Sequence, residues 1–561
     1  MNRPGPAPPP SVDPRLDLEA FEAAVTRRLQ DWERQGFGRK FWRKDPTLWP
    51  KAPADVVLSR MGWMELPGTM KDRVDDLTGF ADEVREDGFE RVVLLGMGGS
   101  SLAAEVLAKS FGPAKGHPGL QVLDSTHPDA IRGATDGLSL DKCFFVVSSK
   151  SGTTLEPNSF FAYFWEEVSR SSADPGQQFC AVTDSGTPLE RLAEEKGLRQ
   201  CFTATPDVGG RYSALTEFGL VPAALVGVRI GQLLARAEHM AKACAAGVEV
   251  ARNPALRLGA ELGELANAGR DKVTFLTSPG LAAFPSWAEQ LIAESTGKIG
   301  KGIVPVAGEV EPFGAFGAND RVLAYLTLRG EEDEAVDDAL AKAEAAGTPG
   351  VFCELSDHFD LGQEFLRWEI AVAAAGSILG IDPFDQPDVE LAKDLARAAM
   401  ARGAGPAPNA LPRVRASEAG ELSAALRAWL AQARSNDYVA IQAYLAPSRE
   451  ADAALADLRR SLRERARTST TFGYGPRFLH STGQLHKGGP NSGLFLQLVD
   501  EEHRDLTVPP GPATFGQILR AQADGDALAL TQKGRRLALV NVGDDPVAGI
   551  GAVTKAVGEL T

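Results

Sequence analysis

RVVLLGMGGSS, residues 91–101, and CFFVVSSKSGTT, residues 143–154, follow one pattern: an apolar run, a turn of small residues, then helical sequence. Neither run alternates polar with apolar residues, as a strand with one wet face would. Burial on both faces is the simplest account, which predicts a parallel sheet with helices on either side. LQVLDS (120–125) and QFCAVTDSG (178–186) repeat the pattern. It breaks at GGRYSALTEFGLVPAALVGV and restarts at DKVTFLTSPG (271–280), running through VLAYLTLRG and VFCELS to the long helix GQEFLRWEIAVAAAGSILG. A second α/β unit is therefore expected from about Asn253.

Upstream, the spacing predicts helix over 16–42 and again over 70–87, behind a proline-rich start with no apolar signal segment. Downstream, ARGAGPAPNALPRVRAS reads as a linker over 401–417. A third, smaller α/β unit follows, with a strand in DYVAIQAYLAP, a charged helix over 451–467 and a strand in RLALVNV. The expected organisation is a tail with helices over 1–88, α/β units over 89–252 and 253–400, the linker, and a C-terminal α/β unit over 418–561. At about 150 residues per domain, 561 residues agree with that number of units.

The chain carries 59 Lys+Arg against 75 Asp+Glu, a formal charge of −16. That balance argues against nucleic acid or an anionic membrane as the main partner. A small anionic substrate must then be held by local donors. The five cysteines form no C-x-x-C pair, so neither zinc nor a disulfide framework is indicated, and reduced thiols in a cytosolic protein are expected.

Several segments concentrate chemistry. In GMGGSS (96–101) the glycines let backbone approach a ligand at a helix start, although a plain strand-to-helix turn accounts for the loop equally well. SSKSGTT (148–154) is more specific: an N-cap needs one hydroxyl, not five, and hydroxyls with Lys150 and free N–H groups suit a phosphate monoester. Gly209 and Gly210 before Arg211 allow a fixed guanidinium, or a surface arginine on a turn. Gln290 and Glu294 share one helix face ahead of Ser295-Thr296-Gly297-Lys298; a solvated acid is the plainer account. GSILGIDPFDQPDVELAK (376–393) reads, by spacing alone, as a helix–turn–helix connection.

Taken in order, GMGGSS, SSKSGTT, VGGRYS, AESTGK and GSILGIDPFDQPDVELAK resemble the motifs of glucose-6-phosphate isomerases over Val92 to Lys393. The resemblance is nearest to the isomerase half of transaldolase/glucose-6-phosphate isomerase fusions, a likeness shared by FLHSTGQLHKGGP (478–490). It implies two SIS (flavodoxin-like) three-layer αβα domains, here with an N-terminal helical segment and a C-terminal α/β unit. It also implies that Ser149, Lys150, Ser151 and Thr154 hold the sugar phosphate, that Gly99 and Ser100 touch the sugar, and that Gln290 and Gln386 orient it. Glu294 is implied as the base between C2 and C1, Arg211 as the stabiliser of a cis-enediol, and Lys393 as the lysine assisting ring opening. No metal or cofactor is expected. Such a reaction needs a carboxylate near its working pKa, a positive group at the enediolate and an acid/base at the ring oxygen.

The chain departs from the family where it has a ring-opening histidine. GAFGANDRVLAYL (314–326) holds none, and Arg321 lies nearest that place; the only histidine between the AESTGK and DQP motifs is His358. LHSTGQ (479–484) resembles the string around that histidine in many bacterial members, so His480 is expected to substitute for it, with His486 as the weaker alternative. Pro206, Asp388 and Ala392 are smaller departures at motif margins. Many relatives form a homodimer that shares the site, whereas a His480 supplied in cis would let a monomer suffice. The competing functional readings are an isomerase that also accepts mannose 6-phosphate and a non-catalytic sugar-phosphate sensor, which needs the SSKSGTT cradle but no base.

Overall fold

The computed structural model describes residues 19–309, 320–389, 411–501 and 504–560. Its frame is three parallel sheets. The first comprises β1 (Arg91–Gly96), β2 (Gly119–Leu123), β3 (Cys143–Ser148), β4 (Phe179–Asp184) and β5 (Gln200–Ala204), in the order β2-β1-β3-β4-β5. The unalternated apolar runs feed two cores. Val92, Leu94, Phe144 and Val146 join the core on one face, while Val93, Leu95, Phe145 and Val147 join that on the other. This two-sided burial is what a parallel sheet requires.

The strand order places the chain's reversal between β1 and β3, with Gly96 in register with Ser148. Ligands of such sheets bind beyond the carboxyl ends of the strands at that reversal. The GMGGSS and SSKSGTT loops leave the sheet there, side by side.

The second sheet has β6 (Lys272–Thr277), β7 (Val304–Val306), β8 (Arg321–Leu328) and β9 (Gly350–Leu355), ordered β7-β6-β8-β9. Helices Pro254–Asn267 and Leu361–Leu379 pack together beside it, and the latter is buried along almost its whole length. That full burial explains why its sequence is apolar all round. The N-terminal helix Glu19–Gln35 packs on Pro254–Asn267, and Trp49 donates its indole N–H to the Ala373 carbonyl at 2.8 Å. The N-terminal segment is thus part of the main core.

The C-terminal unit differs from expectation in size. Its sheet has five strands, β10 (Val414–Arg415), β11 (Tyr438–Tyr444), β12 (Ser469–Tyr474), β13 (Gly493–Val499) and β14 (Arg536–Asn541), all parallel and ordered β10-β14-β13-β11-β12. It is no smaller than the second sheet. Val414 and Arg415 fall inside the range read as linker, yet they pair with Val540 and Asn541. The arginines of that segment hid its extended character, because an edge strand needs little apolar sequence.

Candidate active site

A cleft of about 540 Å³ lies where the three units meet, lined by the glycine loop, the SSKSGTT loop, Arg211, Gln290, Glu294, Gln386 and His480. Gly98 and Gly99 form its floor. Gly98 has φ +56°, and a Cβ there would stand 2.6 Å from the His480 carbonyl oxygen; one on Gly99 would stand 2.0 Å from that of Gly210. Only glycine permits so close an approach of three chain segments. Ser100 also lines the cleft, and its carbonyl accepts from the Ser148 hydroxyl at 2.8 Å.

The second loop leads into helix Leu155–Ser169. Thr154 occupies the N-cap position but makes no side-chain cap bond; its hydroxyl accepts from Ser149 at 3.1 Å. Ser151, Thr153 and Thr154 line the cleft, leaving hydroxyls and helix-start N–H groups toward a ligand. Ser149 is buried and stands behind this wall, so it contacts Thr154 and not the cleft space. Lys150 donates to Asp184. Burial pushes the Lys150 ammonium below the ordinary lysine value and the Asp184 carboxyl above the ordinary carboxylate value, each effect partly offset by the partner.

Arg211 is 2% exposed and held on every side. Its Nε donates to Ser295 Oγ at 2.8 Å, Nη1 to Gln386 Oε1 at 2.9 Å, and Nη2 to the carbonyls of Pro383 and Asp385 at 2.7 and 2.9 Å. Nη1 also reaches Glu294 Oε2 at 3.4 Å, as does the amide of Gln290. The VGGRYS, AESTGK and DQP segments, far apart in sequence, therefore converge on one guanidinium. Lys298 of the AESTGK segment pairs with Asp385 at 3.0 Å; burial, and the neighbouring Arg211 charge, push its ammonium down to about 7.

His480 lies in this wall. Its Nε2 is 3.0 Å from Glu156 Oε1, which also accepts from Gln522 Nε2 at 2.6 Å; Gln522 Oε1 accepts from the Thr126 hydroxyl at 2.8 Å. A carboxylate against one ring nitrogen fixes the imidazole's orientation at the cleft wall. His486 is corrected as an alternative: it is buried outside the cleft, 3.2 Å from Gln442, against Phe495, and burial holds it well below the ordinary histidine value. Arg321 is likewise structural, pairing with Glu309 at 2.6 Å beneath β8, and His358 packs on Phe111. Lys393 lies outside the described residues. Sequence reading missed Arg60, Glu156, Asp184, Lys487 and Gln522 as cleft residues. Glu156 lies two residues beyond the SSKSGTT motif, Asp184 ends the QFCAVTDSG strand and Lys487 lies in FLHSTGQLHKGGP, so these three were legible from position; Arg60 and Gln522 carry no local signal.

Residues 70–319 match the family model described as phosphoglucose isomerase. The chain is 32% identical over 382 residues to the glucose-6-phosphate isomerase of Heliobacterium modesticaldum, covering 59% of this chain and 84% of that one. It is 29% identical over 427 residues to that of Rubrobacter xylanophilus, covering 67% and 97%. Among solved structures, a Chlamydia trachomatis glucose-6-phosphate isomerase superposes with a TM-score of 0.57 at 18% identity, over 69% of this chain and 87% of that one. A hypothetical protein of Thermus thermophilus gives 0.60 at 24% identity, over 70% and 100%. These structures share the fold, and with the Heliobacterium relative at that identity and coverage, the chain belongs to the glucose-6-phosphate isomerase family.

Proposed function

We propose that this enzyme interconverts glucose 6-phosphate and fructose 6-phosphate through a cis-enediol. The observation that carries this reading is the meeting of Arg211, Gln290, Glu294 and His480 beside a hydroxyl-rich helix start in one cleft. The Ser151–Thr154 loop binds the phosphate. His480, oriented by Glu156, gives a proton to the ring oxygen as that oxygen's bond to the anomeric carbon breaks, and the anomeric hydroxyl passes its proton to solvent as the carbonyl forms. Glu294 then takes the proton from one of the C1/C2 carbons and returns it to the other. Arg211 stabilises the enediolate oxygen, its geometry already fixed, so little reorganisation accompanies the charge shift. By resemblance Lys393 assists ring opening, and Gln290 and Gln386 orient the open chain. The described residues lining the cleft all come from one chain, so the reading does not require a homodimer.

The test is formation of glucose 6-phosphate from fructose 6-phosphate by the wild type and Glu294→Gln. The wild type turns over, and the variant loses about 10²–10⁴-fold in kcat while still binding the sugar phosphate. A wild type that binds fructose 6-phosphate without converting it would instead be a sensor.

A further inference from the structure

Among the described residues, the cleft is lined by four side chains from lysine or arginine: Arg60, Lys150, Arg211 and Lys487. Three are committed to protein partners. Arg211 is bonded on all its nitrogens, Lys150 is paired with Asp184, and Lys487 Nζ lies 2.5 Å from Asp526 Oδ1. Arg60 alone makes no side-chain hydrogen bond or ion pair with another described residue, and it is half-buried at the wall.

Its position is fixed. Met61 forms an antiparallel bridge with Val208, the Gly62 N–H donates to the Asp207 carbonyl at 2.9 Å, and Trp63 stacks on Tyr212 with centroids 5.1 Å apart. The N-terminal segment is thus fastened to the turn that carries Arg211. Arg60 stands near enough to Lys150 and Asp184 for its charge to disfavour the ammonium and favour the carboxylate.

A phosphate monoester carries a charge of about −1.5 to −2 at neutral pH. The Lys150–Asp184 pair has no net charge to offer it, and the loop hydroxyls have none. On a chain of net charge −16, the missing positive charge must be local. A guanidinium also matches phosphate geometry with two parallel N–H bonds.

We propose that Arg60 is a phosphate-binding residue, supplying from the N-terminal segment the uncompensated cation for the substrate's 6-phosphate at the Ser151–Thr154 loop. The proposal rests on the hexose-phosphate reading above. It is tested with Arg60→Ala, Arg60→Gln and Arg60→Lys, by steady-state conversion of fructose 6-phosphate, competitive inhibition by inorganic phosphate, and thermal melting as a check on folding. For the Ala and Gln variants, KM and the phosphate inhibition constant rise together by about ten- to a hundredfold, kcat stays within about threefold, and Arg60→Lys falls between. A rise under about threefold in both constants overturns the proposal, as does a loss confined to kcat. Should the wild type not turn over, the function reading fails, and calorimetric titration with inorganic phosphate still decides about Arg60. Weaker binding by Arg60→Ala then supports it, and equal binding overturns it.

Discussion

His480 reaches the cleft from a loop 190 residues after Gln290, yet its backbone carbonyl accepts from the Gln290 amide at 2.8 Å and its ring meets Glu156. The LHSTGQ string marked His480 as the first candidate and left His486 as the weaker one. Burial separates them: His486 is enclosed beside Gln442 and Phe495, whereas His480 lines the cleft. His480→Ala is expected to lower kcat on cyclic fructose 6-phosphate by about 10²–10³-fold, with Glu156→Gln intermediate because it keeps the ring in place without the charge. Unchanged turnover in His480→Ala, followed by a coupled assay of glucose 6-phosphate, would remove His480 from ring opening. At the same scale, Ser149 donates its hydroxyl to Thr154, which lines the cleft.

The elements matter through where they end. β1 and β3 are neighbours because the chain reverses between them, and this puts two loops some fifty residues apart in sequence into one wall (Ser148 Oγ to Ser100 O, separation 48). The glycine loop also sets the distance to the Gly209–Gly210 turn and so to Arg211. Gly99→Ala forces a Cβ against the Gly210 carbonyl, which is backbone and cannot rotate away. We expect kcat/KM to fall by at least about tenfold with only a modest drop in melting temperature, since displacing a catalytic group by an ångström costs up to about 100-fold. Full activity in that variant would show that the two turns are not rigidly coupled. Asp388, a departure from the family pattern, gains a reason here. Its Oδ2 accepts from Gln484 at 2.9 Å and its Oδ1 lies 2.5 Å from Lys533, so it ties the DQP turn to the third unit.

At the scale of the molecule, the third unit is a wall of the site and not an appendage. Its seam with the second joins an apolar cluster, in which Val304 and Val306 meet Tyr438 and Phe495, to buried polar bonds. Arg459 donates to the Gly308 and Ala307 carbonyls at 2.7 and 2.8 Å, and Glu309 accepts from the Thr470 N–H at 2.6 Å while pairing with Arg321. Across the first unit, Arg477 bonds Glu105 and Asp124, and His127 meets Asp500 at 3.1 Å. Leaving buried carbonyl acceptors unsatisfied costs about 1–3 kcal/mol each. Arg459→Ala should lose stability of at least that order in urea unfolding and lose activity with it, since the cleft lies where the units meet. A variant that keeps wild-type stability would make the seam incidental.

The sequence by itself determined the parallel-sheet architecture, because unalternated apolar runs between small-residue turns have no other way to bury both faces. It also determined the family, through ordered motifs that encode a phosphate cradle, a base and a fixed arginine. Only the tertiary structure decided which side chains share the cleft. Gln522 and Arg60 carry no motif; they become cleft residues because folding brings distant segments to the carboxyl ends of β1 and β3. It also decided where charge is available. Composition reports −16 for the whole chain, but electrostatics act over a few ångströms, and pairing leaves Arg60 as the cleft cation without a described ion partner.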